Sequence, residues 1–293
     1  MNMAANVLGL DNAATPMGLK AMEQLQSLNP HKDRASPAQV LFMVINASAV
    51  TLIPITILMY RAELGSTNPS AVFMPILFAT SLSTLAGFLA VAWVQKLNIF
   101  NRVVLAYLSG FALFILGLAW YFSSLPPGER LTASASAGLI RRLNVYELFI
   151  AGAKEGFEIA VRIIPYLVAM LVAIAVFRTS GCLDYIVWGF EKLFAALGMD
   201  TAFVPALPTA IMKPLSGSGA RAMMIETMQA YGADSFPAFV SCVIQGSSET
   251  TFYVLAVYFG AVKITKVGAA LPCALLADAV GAVAAVGLAY LFY

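Results

Sequence analysis

Long apolar runs, separated by short polar segments, dominate the chain. Six of them are close to or above the roughly 20 apolar residues that a helix needs to cross a bilayer. A shorter apolar segment at residues 185–197 carries Glu191 and Lys192, which predicts a helix along the membrane interface or packed inside the fold. The pattern predicts an all-α, polytopic integral membrane protein. The predicted spans are residues 40–60, 71–95, 103–122, 157–177, 236–260 and 267–293.

Composition supports the membrane prediction and narrows the chemistry. Hydrophobic residues make up 60% of the chain and charged residues 11%, whereas soluble domains are about one-quarter charged. The net charge of +2 gives no argument for a nucleic-acid partner. His31 is the only histidine and the three cysteines are far apart, so the sequence predicts no metal site, no cofactor and no histidine-based catalysis.

Residues 205–221 interrupt the apolar pattern and organise the rest of the chain. Pro214 and two glycines lie between Lys213 and Arg221. Proline removes a backbone donor and glycine permits unusual conformations, so we expect a helix to break near Lys213 and to restart near Ala220. Broken backbone is tolerated in a membrane only where protein or a water-filled cavity surrounds it. The stretch is therefore predicted to be a broken, partly re-entrant element beside a polar cavity.

A second polar cluster, at residues 245–251, follows about thirty residues later and completes the predicted site. We expect the cations and hydroxyls of the first cluster to bind anionic or hydroxyl groups, and Glu249 to contact a cation or to couple transport. An ion pair with Glu249 and hydrogen bonds between helices are the alternatives. The candidate binding residues are Lys213, Ser216, Ser218, Arg221, Gln245, Ser247, Ser248, Glu249 and Thr250.

Asp278 is a lone carboxylate in the last apolar run. Ionisable groups in the bilayer are costly and face a cavity or a partner rather than lipid. A proton or cation site and a hydrogen-bonded structural role are both compatible with this position.

The two halves of the chain repeat the same order of polar features at a shift of about 200 residues, which predicts an internal duplication. Residues 143–204 precede the second copy of the repeat, and the first copy has no counterpart to them. The chain therefore either starts downstream of a longer protein or is a reduced version of it. Thr15 is predicted as the N-cap of a helix over residues 17–27. The first copy of the repeat contributes four further candidate binding residues: Asn12, Thr15, Asn46 and Ser48. Matched pairs include Gly18 with Gly219, Asp33 with Asp234, Pro37 with Pro237, Asn46 with Gln245, Ser48 with Ser247, and Thr51 with Thr250.

Three long motifs resemble a known family. Residues 6–23 (NVLGLDNAATPMGLKAME) resemble spore maturation protein A, and residues 208–219 (PTAIMKPLSGSG) and 246–260 (GSSETTFYVLAVYFG) resemble spore maturation protein B. The chain thus resembles a fusion of the two in the nucleoside-recognition Gate group. The resemblance implies two repeated Gate-type half-domains, at 1–122 and 145–293 with a linker at 123–144, in the bacterial inner membrane. The family's A part carries helices ahead of its motif, which this chain lacks.

These observations predict a non-enzymatic transporter or gated permease for a small polar or ionic solute, either nucleoside-like or an ion. Its predicted partners are the lipid bilayer and that solute. The sequence leaves open whether the protein forms a homo-oligomer. One alternative is a non-transporting membrane scaffold for cell-envelope or spore-cortex maturation. The other is a membrane enzyme that acts on wall precursors with an acidic residue as base.

Overall fold

A computed structural model of the protein describes residues 11–48, 51, 54–97, 101, 105, 109–117, 120, 172, 176 and 179–293. Within these residues the regular elements are helices, apart from a single bridge between Arg34 and Lys266. The predicted all-α class is confirmed for this part of the chain. The helices are α1 (Asp11–Ser27), α2 (Pro37–Ala47), α3 (Ile55–Glu63), α4 (Phe73–Val94), α5 (Cys182–Ala196), α6 (Leu207–Leu215), α7 (Gly217–Tyr231), α8 (Phe236–Ser247), α9 (Thr251–Ala261) and α10 (Ala270–Phe292), with 3₁₀ turns at Pro69–Val72 and Val204–Ala206.

The two long helices, α4 and α10, pack against each other at the centre. With 22 and 23 residues they are roughly 33 Å long, and by length and composition both are candidates to cross a membrane. Ser83 Oγ donates a hydrogen bond of 2.9 Å to the Ala277 carbonyl across their interface. Gly281 lets the helices approach, because a Cβ atom there would lie 3.1 Å from Ser83 Cβ. These helices correspond to the predicted spans 71–95 and 267–293.

Neither of the predicted spans 40–60 and 236–260 is a single helix, because each is broken at its polar residues. The first run stops at Ala47 and resumes at Ile55, just after Pro54, which lacks a backbone donor. The second stops at Ser247, and Ser248 takes extended backbone with φ −155° and ψ 175°. The resulting pieces of 9 to 12 residues are each too short to cross a bilayer alone.

The two breaks lie side by side. The Glu249 N–H donates a 2.7 Å hydrogen bond to the Ala47 carbonyl, so the end of α2 meets the segment between α8 and α9. The Tyr258 hydroxyl reaches across to Asn46 Oδ1 at 3.4 Å. As a result, the ends of four short helices come together inside the molecule.

Two aspartates tie each half of the chain to the other. The Asp33 carboxylate pairs with Lys266 at 2.8 Å, and its carbonyl accepts from the Thr265 and Lys266 amides. Asp234 pairs with Arg61 at 3.0 Å and accepts from the Thr67 amide at 2.7 Å. Each aspartate therefore secures the loop that follows a short helix of the opposite half.

The first helix starts earlier than the sequence predicts. The expected helix over residues 17–27 in fact runs from Asp11, so Thr15 lies inside α1 and is not its N-cap. Ala13 and Ala14 are strong helix formers, which favours a helical turn ahead of Pro16.

The segment predicted at the interface or inside the fold forms α5. It begins after Gly181, whose φ of +74° suits glycine. Phe190 and Phe194 pack towards the core, whereas Tyr185 and Trp188 are exposed. One side of α5 therefore contacts protein and the other presents aromatic and apolar side chains outward.

Several predicted features lie outside the described residues. They are the linker 123–144, the motif residues ahead of Asp11, and most of the spans 103–122 and 157–177, of which residues 109–117 are described and helical.

Candidate solute-binding site

A break of one residue separates α6 from α7. Ser216 takes extended backbone at φ −153° and ψ 115°, and α7 begins at Gly217, three residues before the expected restart at Ala220. The Ser216 hydroxyl accepts a 3.1 Å hydrogen bond from the Gly219 amide and lies 3.2 Å from the Ser218 hydroxyl. Ser216, a predicted site residue, therefore caps α7, and Ser218, another, lies in the first turn of that helix beside the Ser216 hydroxyl.

A small polar cavity of about 70 Å³ lies where this break meets those after α2 and α8, and we call it the central cavity. Thr51 and Tyr60 line it from the first half of the chain. Gly217 makes the close approach possible, since a Cβ atom there would lie 2.7 Å from Thr250 Oγ1. Six of the predicted site residues line this cavity: Lys213, Arg221, Gln245, Ser248, Glu249 and Thr250.

Packing between α6 and α8 fixes the position of Lys213. One turn before it, the Thr209 and Ser241 hydroxyls form a fully buried 2.7 Å hydrogen bond between the two helices. Lys213 itself is only 6% exposed. An ammonium group at such depth needs partners or a polar cavity, because its desolvation is costly.

The electrostatic environment of the central cavity is positive on balance. Lys213 and Arg221 contribute two cations and Glu249 one anion. The N-termini of α7 and α9 lie at the cavity through Gly217 and Thr250, and the C-terminal end of α8 lies there through Gln245 and Gly246, so helix-end charges of both signs face the cavity. The arrangement can hold a small anion or a neutral group rich in hydrogen-bond acceptors.

A second cavity, of about 260 Å³, lies on the other side of Lys213 and Ser248, which line both. Its walls are mostly apolar, with Ile211, Ile244 and Leu275 among them. The polar residues that line it are Lys213, Ser247, Ser248 and Asp278. Ser247, a predicted site residue, is here and donates to the Ile244 carbonyl at 2.8 Å.

Asp278 is buried at the edge of the second cavity. Its Oδ2 accepts a 2.7 Å hydrogen bond from the Thr251 hydroxyl, and the Lys213 ammonium attracts the carboxylate. Its Oδ1 has no hydrogen-bond partner, and neither has the buried Ser248 Oγ nearby, although Ser248 is close enough to influence the carboxylate. The two groups are therefore neighbours that no well-formed hydrogen bond joins.

Asn46 and Ser48 are not among the described residues that line these cavities. Asn46 and Ser48 end α2 and donate to the Phe42 and Val44 carbonyls of their own helix. Both are buried beside the break. Asn12 lies within α1, outside the residues whose side chains are described.

The candidate residues predicted from the sequence omit two that the structure brings to the site, although both lie in segments that the sequence analysis singled out. Thr51 lines the central cavity, and Thr251 holds Asp278. The internal match of Thr51 with Thr250 was the available signal for the first. Thr251 is the last residue of the second polar cluster, and its contact depends on tertiary packing.

Two helices long and apolar enough to cross a membrane, with short broken helices around a polar cavity, are typical of a helical membrane protein with a polar site. Comparison with known proteins then specifies the family. Residues 160–265 match the family model described as Gate: Nucleoside recognition. Over 156 residues the chain is 48% identical to spore maturation protein B of Bacillus subtilis (strain 168), a match that covers 53% of this chain and 86% of that protein. The chain therefore belongs to the spore maturation protein B family, as its motifs indicated.

A second relative matches a smaller part of the chain. Spore maturation protein A of Bacillus subtilis (strain 168) is 43% identical over 82 residues, which is 28% of this chain. The chain spans 42% of the length of that relative. No solved structure matches the chain significantly.

Proposed function

We propose that the protein is a multi-pass transporter or gated permease of the bacterial inner membrane, rather than an enzyme, for a small polar or ionic solute. The observation that carries the proposal is the central cavity, where three helix breaks meet around Lys213, Arg221 and Glu249. Broken helices whose ends face an enclosed site are a recurring feature of secondary transporters. Membership of the Gate family is compatible with this role.

The cavity favours a small solute. Its volume of about 70 Å³ is well below the roughly 300 Å³ at which typical ligand pockets begin. An inorganic anion or a polar solute of a few atoms fits this conformation, and a nucleoside-sized solute requires the short helices to move apart. The positive balance of the lining favours an anion over a cation.

We also propose that the molecule consists of two related half-domains, at 1–122 and 145–293. The order and lengths of the helices support this: α2, α3 and α4 have 11, 9 and 22 residues, and α8, α9 and α10 have 12, 11 and 23. The reciprocal contacts of Asp33 and Asp234 support it as well. A movement of one half against the other then opens the central cavity to either side.

Uptake into proteoliposomes tests the proposal. The parent protein is compared with Glu249→Gln and Lys213→Ala on radiolabelled chloride, phosphate, rubidium and uridine. We expect at least about tenfold slower uptake of the transported solute in both variants, since each removes a charge from the cavity lining. Glu23→Gln and Lys192→Ala change side chains away from the cavity and should transport like the parent.

Two outcomes contradict the proposal. If both cavity variants carry a solute as fast as the parent, that solute does not pass through the central cavity. If the folded parent moves no solute from an extended panel, the non-transporting scaffold explains the family membership better.

A further inference from the structure

Three buried oxygen atoms near the end of α8 lack hydrogen-bond partners within the described part of the chain. They are Asp278 Oδ1, Ser248 Oγ and Gln245 Oε1, in residues that are 6%, 4% and 8% exposed. Buried polar atoms in native proteins are nearly always paired, because an unmet acceptor loses its hydration without compensation. Three such atoms on neighbouring residues indicate a ligand that accepts electron pairs from oxygen.

The geometry groups these atoms around the C-terminal end of α8. Gln245 lies in the last turn of α8, and Ser248 follows that helix as its C-cap in extended backbone; both residues line the central cavity. Ser248 and Asp278 line the second cavity together. Thr251 holds Asp278 Oδ2, so Oδ1 is the carboxylate oxygen that is left for a ligand.

The side chains that line the second cavity include one ammonium and one carboxylate, whereas those of the central cavity include two cations and one carboxylate. A helix C-terminus carries partial negative charge, and the last-turn carbonyls of α8 lack partners within their own helix. Ser247 satisfies one of them, the Ile244 carbonyl. Asp278 adds a full negative charge, and Lys213 is the titratable or charged residue that shares this cavity with it.

We propose that Asp278, Ser248 and Gln245 form a site for a monovalent alkali cation, with carbonyls at the end of α8 completing the oxygen shell. Lys213 acts as a tethered competitor: it attracts Asp278 when the ion is absent, and turns towards the central cavity, which it also lines, when the ion is bound. This exchange links the occupancy of the cation site to the charge in the central cavity.

The ligand chemistry favours an alkali cation over the alternatives. Hard cations prefer oxygen donors, and half-helix C-terminal ends provide them in membrane proteins. A proton on Asp278 Oδ1 that is donated to Ser248 Oγ satisfies two of the three atoms and leaves Gln245 Oε1 without a donor. A divalent ion is disfavoured because the site has a single carboxylate with a lysine beside it.

Cation-dependent thermal stability of the purified full-length protein in detergent tests the site. Unfolding is followed in NaCl, KCl and N-methylglucamine chloride at equal ionic strength, since a ligand that binds only the folded state raises Tm. We expect a higher Tm in Na⁺ or K⁺ than in N-methylglucamine, and no such difference in Asp278→Asn. Asp234→Asn, a carboxylate outside both cavities, should keep the full cation response whatever its baseline Tm.

Two further variants keep the test decisive if Asp278→Asn does not fold. Ser248→Ala removes one oxygen ligand, and the cation concentration at half-response should rise about tenfold. Lys213→Met removes the competitor, and that concentration should fall about tenfold. If Asp278 has only a structural role, neither variant changes the cation concentration at half-response.

The proposal is overturned by a parent Tm that is equal in the three salts, or by a cation response that survives in Asp278→Asn. A response to pH alone, with none to Na⁺ or K⁺, would assign the site to a proton instead. Because binding is measured without transport, failed solute uptake with an intact cation response removes only the proposed function.

Discussion

Arg61 shows that a deeply buried charge in this protein can have a structural role. Its side chain is 2% exposed, and its guanidinium donates to the Ala233 carbonyl at 2.9 Å and to Ser66 Oγ at 3.0 Å. The Asp234 carboxylate pairs with the guanidinium at 3.0 Å, and the Phe239 ring centroid lies 5.9 Å from the guanidinium carbon, while Arg61 Nε has no hydrogen-bond partner among the described residues. Burial alone therefore does not mark a solute site, and the open cavity beside Lys213 is what distinguishes the two residues.

We predict that Asp234→Asn lowers the free energy of unfolding by about 1–2 kcal/mol, a loss limited by the 41% exposure of the aspartate. The substitution leaves the buried guanidinium without its counter-ion. Chemical denaturation in detergent measures the change. Asp33→Asn, which removes an exposed ion pair with Lys266, is the control and should have a smaller effect.

The difference in free energy of unfolding between the parent and Asp234→Asn depends on pH. Hydrogen bonds from the Ser66 hydroxyl and the Thr67 amide hold the pKa of Asp234 below its ordinary value. A lowered folded-state pKa stabilises the protein above the unfolded pKa of about 3.9, and this stabilisation is lost as the pH falls through the folded value. The difference between parent and Asp234→Asn should thus be constant from about pH 7 to 5 and shrink below about pH 4. A difference that grows on acidification would contradict this assignment.

At the scale of elements, glycines set how closely the broken helices approach the long ones. Gly246 lies in the last turn of α8 against α4, and a Cβ atom there would come within 2.6 Å of Ile76 Cγ2. Ile76 is fully buried, so it has little room to move. The position of the polar cluster after Gly246 therefore depends on this contact.

We predict that Gly246→Ala destabilises the protein by about 1–3 kcal/mol through overpacking. Thermal unfolding in detergent measures the loss, and Ile76→Ala, which removes the Cγ1, Cγ2 and Cδ1 atoms that the added Cβ would meet, should cost less in the Gly246→Ala background than in the parent. The matched control is Gly260→Ala in α9, where a Cβ atom would meet nothing within 4 Å. Equal losses in the two alanine variants would mean that the contact with Ile76 is not responsible.

At the scale of the whole molecule, the two halves are intertwined. The interface of α4 with α10 joins them, the Glu249 amide bonds to the Ala47 carbonyl, and Asp33 and Asp234 hold loops of the opposite half. Each half thus buries apolar surface that it exposes when alone. A split chain should reassemble for the same reason.

We predict that co-expressed fragments 1–130 and 131–293 copurify from detergent extracts through a tag on the second. Gly281→Leu in that fragment should abolish copurification, because a Cβ atom there already lies 3.1 Å from Ser83 Cβ. Gly287→Leu lies on the same helix, where a Cβ atom would meet nothing within 4 Å, and should leave copurification intact. Independent, monodisperse fragments would show that the halves fold without one another.

The sequence predicted the class and the family, and six of its candidate residues line the central cavity. The long apolar runs required helices, and the charges at Lys213 and Glu249 could be accommodated only in polar surroundings. The sequence did not show whether each apolar run forms one continuous helix. The average hydrophobicity of residues 236–260 is high enough for one membrane span. The helix nevertheless ends after Gly246, where hydroxyl residues follow and Ser248 takes extended backbone.

What the sequence determined by itself was therefore the helical class, the membrane composition and the breaks at proline, glycine and serine, since these follow from local backbone chemistry and from the amount of apolar side chain. What only the tertiary structure decided was which breaks meet. The bond from the Glu249 amide to Ala47, and the neighbouring positions of Ser248 and Asp278, join residues far apart in the chain. Such contacts depend on how helices pack against one another, which no local pattern specifies.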